Sequence, residues 1–410
     1  MNRAKEIKIS DFDYELPNGN IAAYPLPQRE ASKLLVYRNG TTNSTTFSHL
    51  PEYLSHKSTV VLNNSRVIEA RLLFQKPSKG IVEIFCLEPV NRKMATTEAM
   101  ETTGSVQWLC LIGGASKWKK GEILEKELVS QSSYGSLQAA YMAKVGEAFQ
   151  IELSWTPAHL SFAEVLHATG AMPLPPYIKR KAETADRERY QTVFAEHKGS
   201  VAAPTAALHF TPSLLSQMEE KDIKTTFVTL HIGAGTFKPV KTETIAEHSM
   251  HAEQFQLGIK ELKILQQNRE LVAVGTTTLR TLESLFWIGI KILQGTATPS
   301  DLTLGQWEAY ELSPKNITYG ESIEGIINFM QQHRMQHLVC ETSLLIVPGY
   351  QFRSAEALIT NFHQPRSTLL LLVAAFIGHD WKKVYQHALE NNFRFLSYGD
   401  SSLLWRRHQD

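Results

Sequence analysis

Cysteine is scarce: Cys86, Cys110 and Cys340 are the 3 in 410 residues. They lie far apart and form no Cys-x-x-Cys pair, so neither a zinc ribbon nor a redox dithiol is supported. All three read as reduced, mostly buried small hydrophobes. An excess of one charge is missing too. The chain has 42 Lys and Arg against 41 Asp and Glu, a net +1 at pH 7. A polyanionic partner would therefore have to be held by local basic patches. No run approaches the ~18 apolar residues of a membrane span. The N-terminal Met-Asn-Arg-Ala-Lys-Glu-Ile-Lys lacks the apolar core of a secretory signal. A cytoplasmic protein with no membrane partner is the expectation. Also absent are a Walker loop, Gly-x-Gly-x-x-Gly, His-Glu-x-x-His and Gly-x-Ser-x-Gly. ATP hydrolysis, zinc proteolysis and esterase chemistry lose their usual signatures.

What is present suits a globular protein: 43% hydrophobic and 20% charged residues. Single cores rarely grow past ~250–300 residues, so this length implies two domains. From Ala70 to about Ser154 the texture is short β segments: Arg71–Phe74, Ile81–Leu87, Val106–Ile112, Gly121–Leu124 and Glu147–Trp155. They predict a small sandwich or barrel, inserted because helical patterning resumes near Ser161. Residues 91–104 read as a mobile polar loop within it. Elsewhere Thr46–Leu54 predicts a short helix capped by Ser48, Asn39-Gly40 a hairpin turn, and Leu344–Val347 a strand. Thr59–Val67 is an apolar strand ending on Asn63, Asn64, Ser65 and Arg66, and ligands favour such ends.

The chemistry concentrates in residues 199–253, which hold Gly199–Phe210, Thr229–Val240 and His248-Ser-Met-His251-Ala-Glu253. Four histidines fall here (His209, His231, His248 and His251), beside small residues such as Thr205, Gly233, Gly235 and Thr236 that admit close backbone approach. His248-x-x-His251-x-Glu253 is open to two readings. Imidazoles three apart can share a helical face and bind metal with the carboxylate, or they can hydrogen-bond a ligand. Gly275-Thr-Thr-Thr-Leu-Arg280 follows a strand and opens a helix, offering N–H groups of Thr276 and Thr277 to a polar or anionic ligand. Asn361 and His363 precede another helix, as caps or as ligand contacts. Lys179, Arg180, Arg187 and Arg189, near Tyr177 and Tyr190, read either as a solvated face or as a track for an RNA backbone with stacking. These residues specify a His-, Thr- and Gly-lined pocket without yielding its reaction.

Ten blocks, colinear over nearly the whole chain, carry a resemblance. They are Asp13–Pro17, Asn63–Leu72, Met172–Ile178, Tyr190–Ala195, Ala202–Phe210, Thr229–Phe237, His248–Glu253, Gly275–Glu283, Thr360–Thr368 and Arg394–Asp400. In them the chain resembles the S-adenosylmethionine:tRNA ribosyltransferase-isomerase family of queuosine biosynthesis. That resemblance implies an α/β fold: an α/β/α main domain with a mixed sheet (1–70 and 157–410) interrupted by a small all-β barrel (71–156). It implies transfer and isomerisation of the ribosyl group of S-adenosylmethionine, as cosubstrate, onto 7-aminomethyl-7-deazaguanine at the tRNA wobble position. Epoxyqueuosine-tRNA would form and adenine and methionine leave, with no metal and a monomeric protein expected. Within it, His209, His231, His251 and Glu253 would share the acid and base work. Arg66, Thr205, Gly233, Gly235, Thr236, Thr276, Thr277, Arg280, Asn361, His363 and Asp400 would hold the substrates. Lys179, Arg180, Arg187, Arg189 and Tyr190 would hold the tRNA. The chain departs from the family pattern at Asn64 (usually Asp), Lys33 (Arg), Glu69 (Pro) and Ala207 (Gly). A divergent paralogue that binds tRNA with a changed acceptor, or without turnover, is the alternative.

Overall fold

The computed structural model describes residues 2–91, 94–119, 121–129, 134–233, 240, 242–267 and 270–407. Ten strands make one mixed sheet. Their spatial order is Thr303–Leu304, His337–Thr342, Glu253–Gly258, Lys224–Leu230, Ser58–Asn63, Glu270–Val274, Ala355–Asn361, Ser401–Trp405, Lys33–Arg38 and Thr41–Thr46. The four from Lys224–Leu230 to Ala355–Asn361 run parallel. Ser58–Asn63 is buried at every position, the mark of a parallel strand covered on both faces.

Side chains of period two sort the two coverings. Val60 and Leu62 pack with Leu34, Val36, Val272 and Leu214 of the helix Pro212–Glu220. Val61 faces the other way with Leu35, Leu271, Ala273 and the helices Thr276–Leu293, Tyr319–Gln332, Thr368–Ile377 and Trp381–Glu390. The result is the α/β/α sandwich that the resemblance implied.

A second sheet of six antiparallel strands follows the order Arg71–Gln75, Ile81–Pro89, Ser105–Gly113, Ala148–Thr156, Tyr134–Val145 and Ile123–Val129. Its outer strands lie against each other, which curls it into a nearly closed barrel. Alternate residues fill the interior, among them Leu72, Phe74, Ile84, Trp108, Leu137 and Ile151. The helix Phe162–Thr169 packs on this core, with Phe162 stacked 5.7 Å from Trp155 and tilted against Trp108 at 5.0 Å. A Ser161–Glu164 capping box starts that helix. All three cysteines are buried and free. Among the described residues, no helix is long and apolar enough to cross a membrane.

Several local expectations give way to packing. The stretch after Thr46 is a 3-10 turn, Phe47–Glu52, with Ser48 inside it rather than at its cap. Pro51 lacks the N–H that an α-helix would use there. Residues 91–104, expected as a loop, contain a helix at Thr96–Glu101 whose Thr96, Ala99 and Met100 are buried. Leu344–Val347 is buried but joins no strand among the described residues. The N–H groups of Leu344, Leu345 and Val347 go instead to Thr342 Oγ1, the Gln306 carbonyl and Tyr310 Oη, so burial needs no ladder. The hairpin at Asn39-Gly40 forms as expected, with φ of 50° and 81°.

Candidate active site

Four parallel strands end at one edge of the sheet, at Asn63, Leu230, Val274 and Asn361. The residues just beyond those ends, His231, Gly275 and His363, line two adjoining hollows. Carboxyl ends of parallel strands are where open α/β sheets place ligands. The smaller hollow is a slot of about 60 Å³, lined by Thr205, Thr276, Thr277, Asn361, His363 and Tyr177 among others. The larger, about 640 Å³, gathers His231, His248, His251, Glu253 and Arg280 from the sheet side. Leu87, Glu88, Pro89, Leu111 and Ala148 of the barrel form its opposite wall. Ile232 and Leu369 border both hollows. At ~10–15 Å³ per water-sized group, only the larger admits a nucleoside without rearrangement.

Glu253 opens its strand beside His231, whose N–H donates to the Gln254 carbonyl at 3.1 Å. Its carboxylate pairs with Arg280, takes the Gly233 N–H at 3.2 Å and lies 3.2 Å from His251 Nε2. Burial alone would push this carboxyl up, but Arg280, His251 and Gly233 prevail and hold it down at about 2. Glu253 is therefore a fixed carboxylate and a weak base. His251, with its side chain 36% exposed, is the imidazole it orients. A Cβ on Gly233 would come 3.2 Å from that ring, so a larger residue there would press on His251.

His231 is buried, and neither ring nitrogen has a partner among the described residues. Burial pushes its pKa down to about 3, so it faces the larger hollow as a neutral imidazole. Gly199, at φ 140°, packs against it, and a Cβ there would lie 2.9 Å from His231 Nδ1. His363 is likewise neutral, lowered by burial to about 3, with Nε2 2.9 Å from Thr360 Oγ1. Asn361 Oδ1 accepts from Thr205 Oγ1 at 2.7 Å. Neither Asn361 nor His363 caps the next helix; Ser367 does. Gly275, at φ 93°, opens the helix whose Thr276 and Thr277 line the slot.

Other expected residues lie elsewhere. His209 is apart from both hollows, with Nδ1 2.8 Å from Ser32 Oγ, and burial lowers it to about 4. Arg66 is exposed and borders none of these hollows. Asp400 is buried behind Asn361, holding the backbone N–H of Arg394 at 2.8 Å and its guanidinium at 2.9 Å, and lines neither hollow. Gly235 and Thr236 fall outside the described residues. His248 lies in non-helical chain before Glu253, which removes the shared helical face. Burial, then His251, lowers its pKa. Among the described residues, no three His, Cys, Asp or Glu side chains gather closely enough to hold a metal ion.

The tRNA set divides. Lys179 and Arg187 are exposed. Arg180 makes a two-pronged pair with Asp186 at 2.7 and 2.8 Å and lies 4.2 Å over the ring of Tyr24. Arg189 donates to the Leu26 and Pro27 carbonyls. Tyr190 is fully buried against Tyr398, a placement at odds with stacking on an RNA base. Sequence reasoning missed the barrel wall, Gln254 and Ser397. Ser397 sat in a quoted block, but nothing local marks a barrel residue that meets the sheet only after folding.

Residues 9–404 match the family described as Queuosine biosynthesis protein, and the chain belongs to it. Among solved structures, a crystal structure of S-adenosylmethionine tRNA ribosyltransferase from Thermotoga maritima is similar at 27% identity. The match covers 96% of this chain and 100% of that one, with a TM-score of 0.46.

Proposed function

We propose that the chain transfers and isomerises the ribosyl group of S-adenosylmethionine onto 7-aminomethyl-7-deazaguanine at the tRNA wobble position. Epoxyqueuosine-tRNA forms, and adenine and methionine leave. One observation carries this within the family: the 640 Å³ hollow that sets His231 and the His251–Glu253–Arg280 chain at the carboxyl edge of the sheet. We also read 71–156 as an inserted domain whose barrel supplies the opposite wall.

The sulfonium acidifies the adjacent C5′–H, and removal of that proton starts the elimination. Adenine departs with the electron pair of its glycosidic bond and needs a proton in return. The attacking aminomethyl nitrogen must be neutral, so its proton needs an acceptor as well. His251 is the group placed to carry protons: it faces the hollow, and Glu253 fixes its ring. Such a positioned base contributes typically ~10²–10⁴-fold. His231, neutral at working pH, holds a polar edge of the bound nucleoside. Asn361, His363, Thr205 and the start of the Thr276–Leu293 helix shape the slot beside it.

The test is to incubate the protein with S-adenosylmethionine and tRNA carrying the aminomethyl-deazaguanine base. Adenine and methionine in equal amounts are expected, with His251→Ala about a hundredfold slower. S-adenosylhomocysteine, or no small-molecule product, overturns the reading.

A further inference from the structure

Ser397 borders the slot on one side and a third, smaller hollow on the other, about 20 Å³ in volume, which the proposed chemistry leaves unused. Arg29, Arg189 and Arg394 line it with His209, Ser32 and Tyr398. At ~10–15 Å³ for one water-sized group, it has room for an oxygen or two of a larger ligand.

Its cations are unevenly answered. Arg394 pairs with Asp400 at 2.9 Å. Arg29 donates only to backbone carbonyls, those of Leu208 at 2.9 Å and Glu188 at 3.0 Å. Arg189 does the same toward Leu26 and Pro27. Carbonyls fix a guanidinium but carry no net charge, so these two cations stand close together without a carboxylate ion pair among the described residues. The Glu188 carboxylate acts on Arg29 only through space. A guanidinium has five N–H donors, and each of these arginines spends two. Arg189 Nε is buried without an acceptor among the described residues. His209, 5% exposed, bonds Ser32 through Nδ1 and lies beside the Arg29 backbone, and among the described residues no group meets its buried Nε2 in good hydrogen-bonding geometry. Buried polar groups in native proteins are nearly always satisfied. Two orphans on one arginine-lined hollow mark a place that a ligand completes.

We propose that this hollow is an anion site for phosphoryl oxygens, gripped by Arg29 and Arg189 with His209 Nε2 as a third contact. Arginine forks suit that geometry. The source is a phosphodiester of the RNA substrate, since Ser397 joins this hollow to the slot, and the slot shares Ile232 and Leu369 with the larger hollow that admits a nucleoside. The site stands on its own observations; only the RNA source rests on the function proposed above. His209 then contacts the anion and carries no proton in the reaction.

The test uses the full chain, its Arg29→Gln and Arg189→Gln variants, and the Lys variants at both positions. Inorganic phosphate at constant ionic strength should raise the melting temperature of the wild type and neither Gln variant. Affinity for a tRNA transcript should fall about tenfold with each Gln substitution, and the log–log salt slope should flatten by about one. The Lys variants break the same carbonyl contacts but keep the charge, so they should retain most of that slope. Equal losses in Lys and Gln variants would show structural braces and overturn the site. A phosphate shift without any change in transcript binding would overturn the RNA source. Adenine release by the wild type, with transcript binding unaltered in the Gln variants and no phosphate shift, sinks the anion site alone. Arginine-dependent transcript binding without adenine release sinks the proposed reaction alone.

Discussion

Glu253 and His231 are both buried acid–base groups, yet their surroundings assign them opposite states. Glu253 stays charged because Arg280 faces it; His231 stays neutral because burial strips its solvation and, among the described residues, no hydrogen-bond partner meets its ring. Folding lowers the Glu253 pKa from 4.5 to about 2, so as pH falls the unfolded chain takes up the proton first. Its stabilisation is complete above 4.5 and is lost as pH drops toward 2. Glu253→Gln strands the Arg280 charge, at a cost of about 3–5 kcal/mol near neutral pH. The gap in melting temperature between wild type and variant should close across that acid window; a constant gap would contradict the pairing. His231→Leu removes two unsatisfied ring nitrogens, each costing about 1–3 kcal/mol. The melting temperature should hold or rise while adenine release falls at least tenfold, whereas a destabilised variant of normal activity would make His231 structural. His231, His251 and Glu253 were legible because histidine is rare and clustered there. Their differing charge states were not, since these depend on Arg280 arriving from another element. Tyr190 misled for a related reason: a tyrosine beside arginines looks the same whether its ring faces solvent or Tyr398.

At the scale of elements, the long helix Thr276–Leu293 carries the slot at its N-terminus and meets Tyr319–Gln332 near its C-terminus. The two touch where a Cβ on Gly289 would lie 2.1 Å from Ser322 Oγ and 2.5 Å from the Ser322 carbonyl. Alanine is the better helix former by about 1 kcal/mol, but this clash includes backbone and cannot be relieved by a rotamer. Gly289→Ala should therefore lose about 1–3 kcal/mol in urea unfolding; a gain would mean the helices can slide apart. Elements with clean periodicity were readable in advance, such as the helix Phe162–Thr169 where helical patterning resumes near Ser161; its Ser161–Glu164 capping box shows only in the structure. The barrel strand Tyr134–Val145 was not, because Gly135, Ser136 and three alanines dilute its alternation. Leu344–Val347 erred in the other direction: apolar and buried, but satisfied by a tyrosine hydroxyl and a loop carbonyl rather than a neighbouring strand.

For the whole molecule, the six-stranded barrel was visible as a change of texture, but its place against the sheet was not. Barrel residues Leu87, Pro89 and Leu111 face the sheet's carboxyl edge across the larger hollow. Thr96, in the helix expected as a loop, donates its N–H to Gln254 Oε1 at 2.9 Å beside Glu253. Neither contact has a local signature, since each joins segments more than a hundred residues apart. The hollow thus exists only in the assembled protein, and its chemistry is most directly read from the fate of the donor's atoms. S-adenosylmethionine labelled either in its ribose carbons or in its methyl group should be supplied with tRNA bearing the aminomethyl base. The account predicts ribose label in the tRNA nucleoside and methyl label in free methionine; methyl label in the tRNA, or none of either, would contradict it.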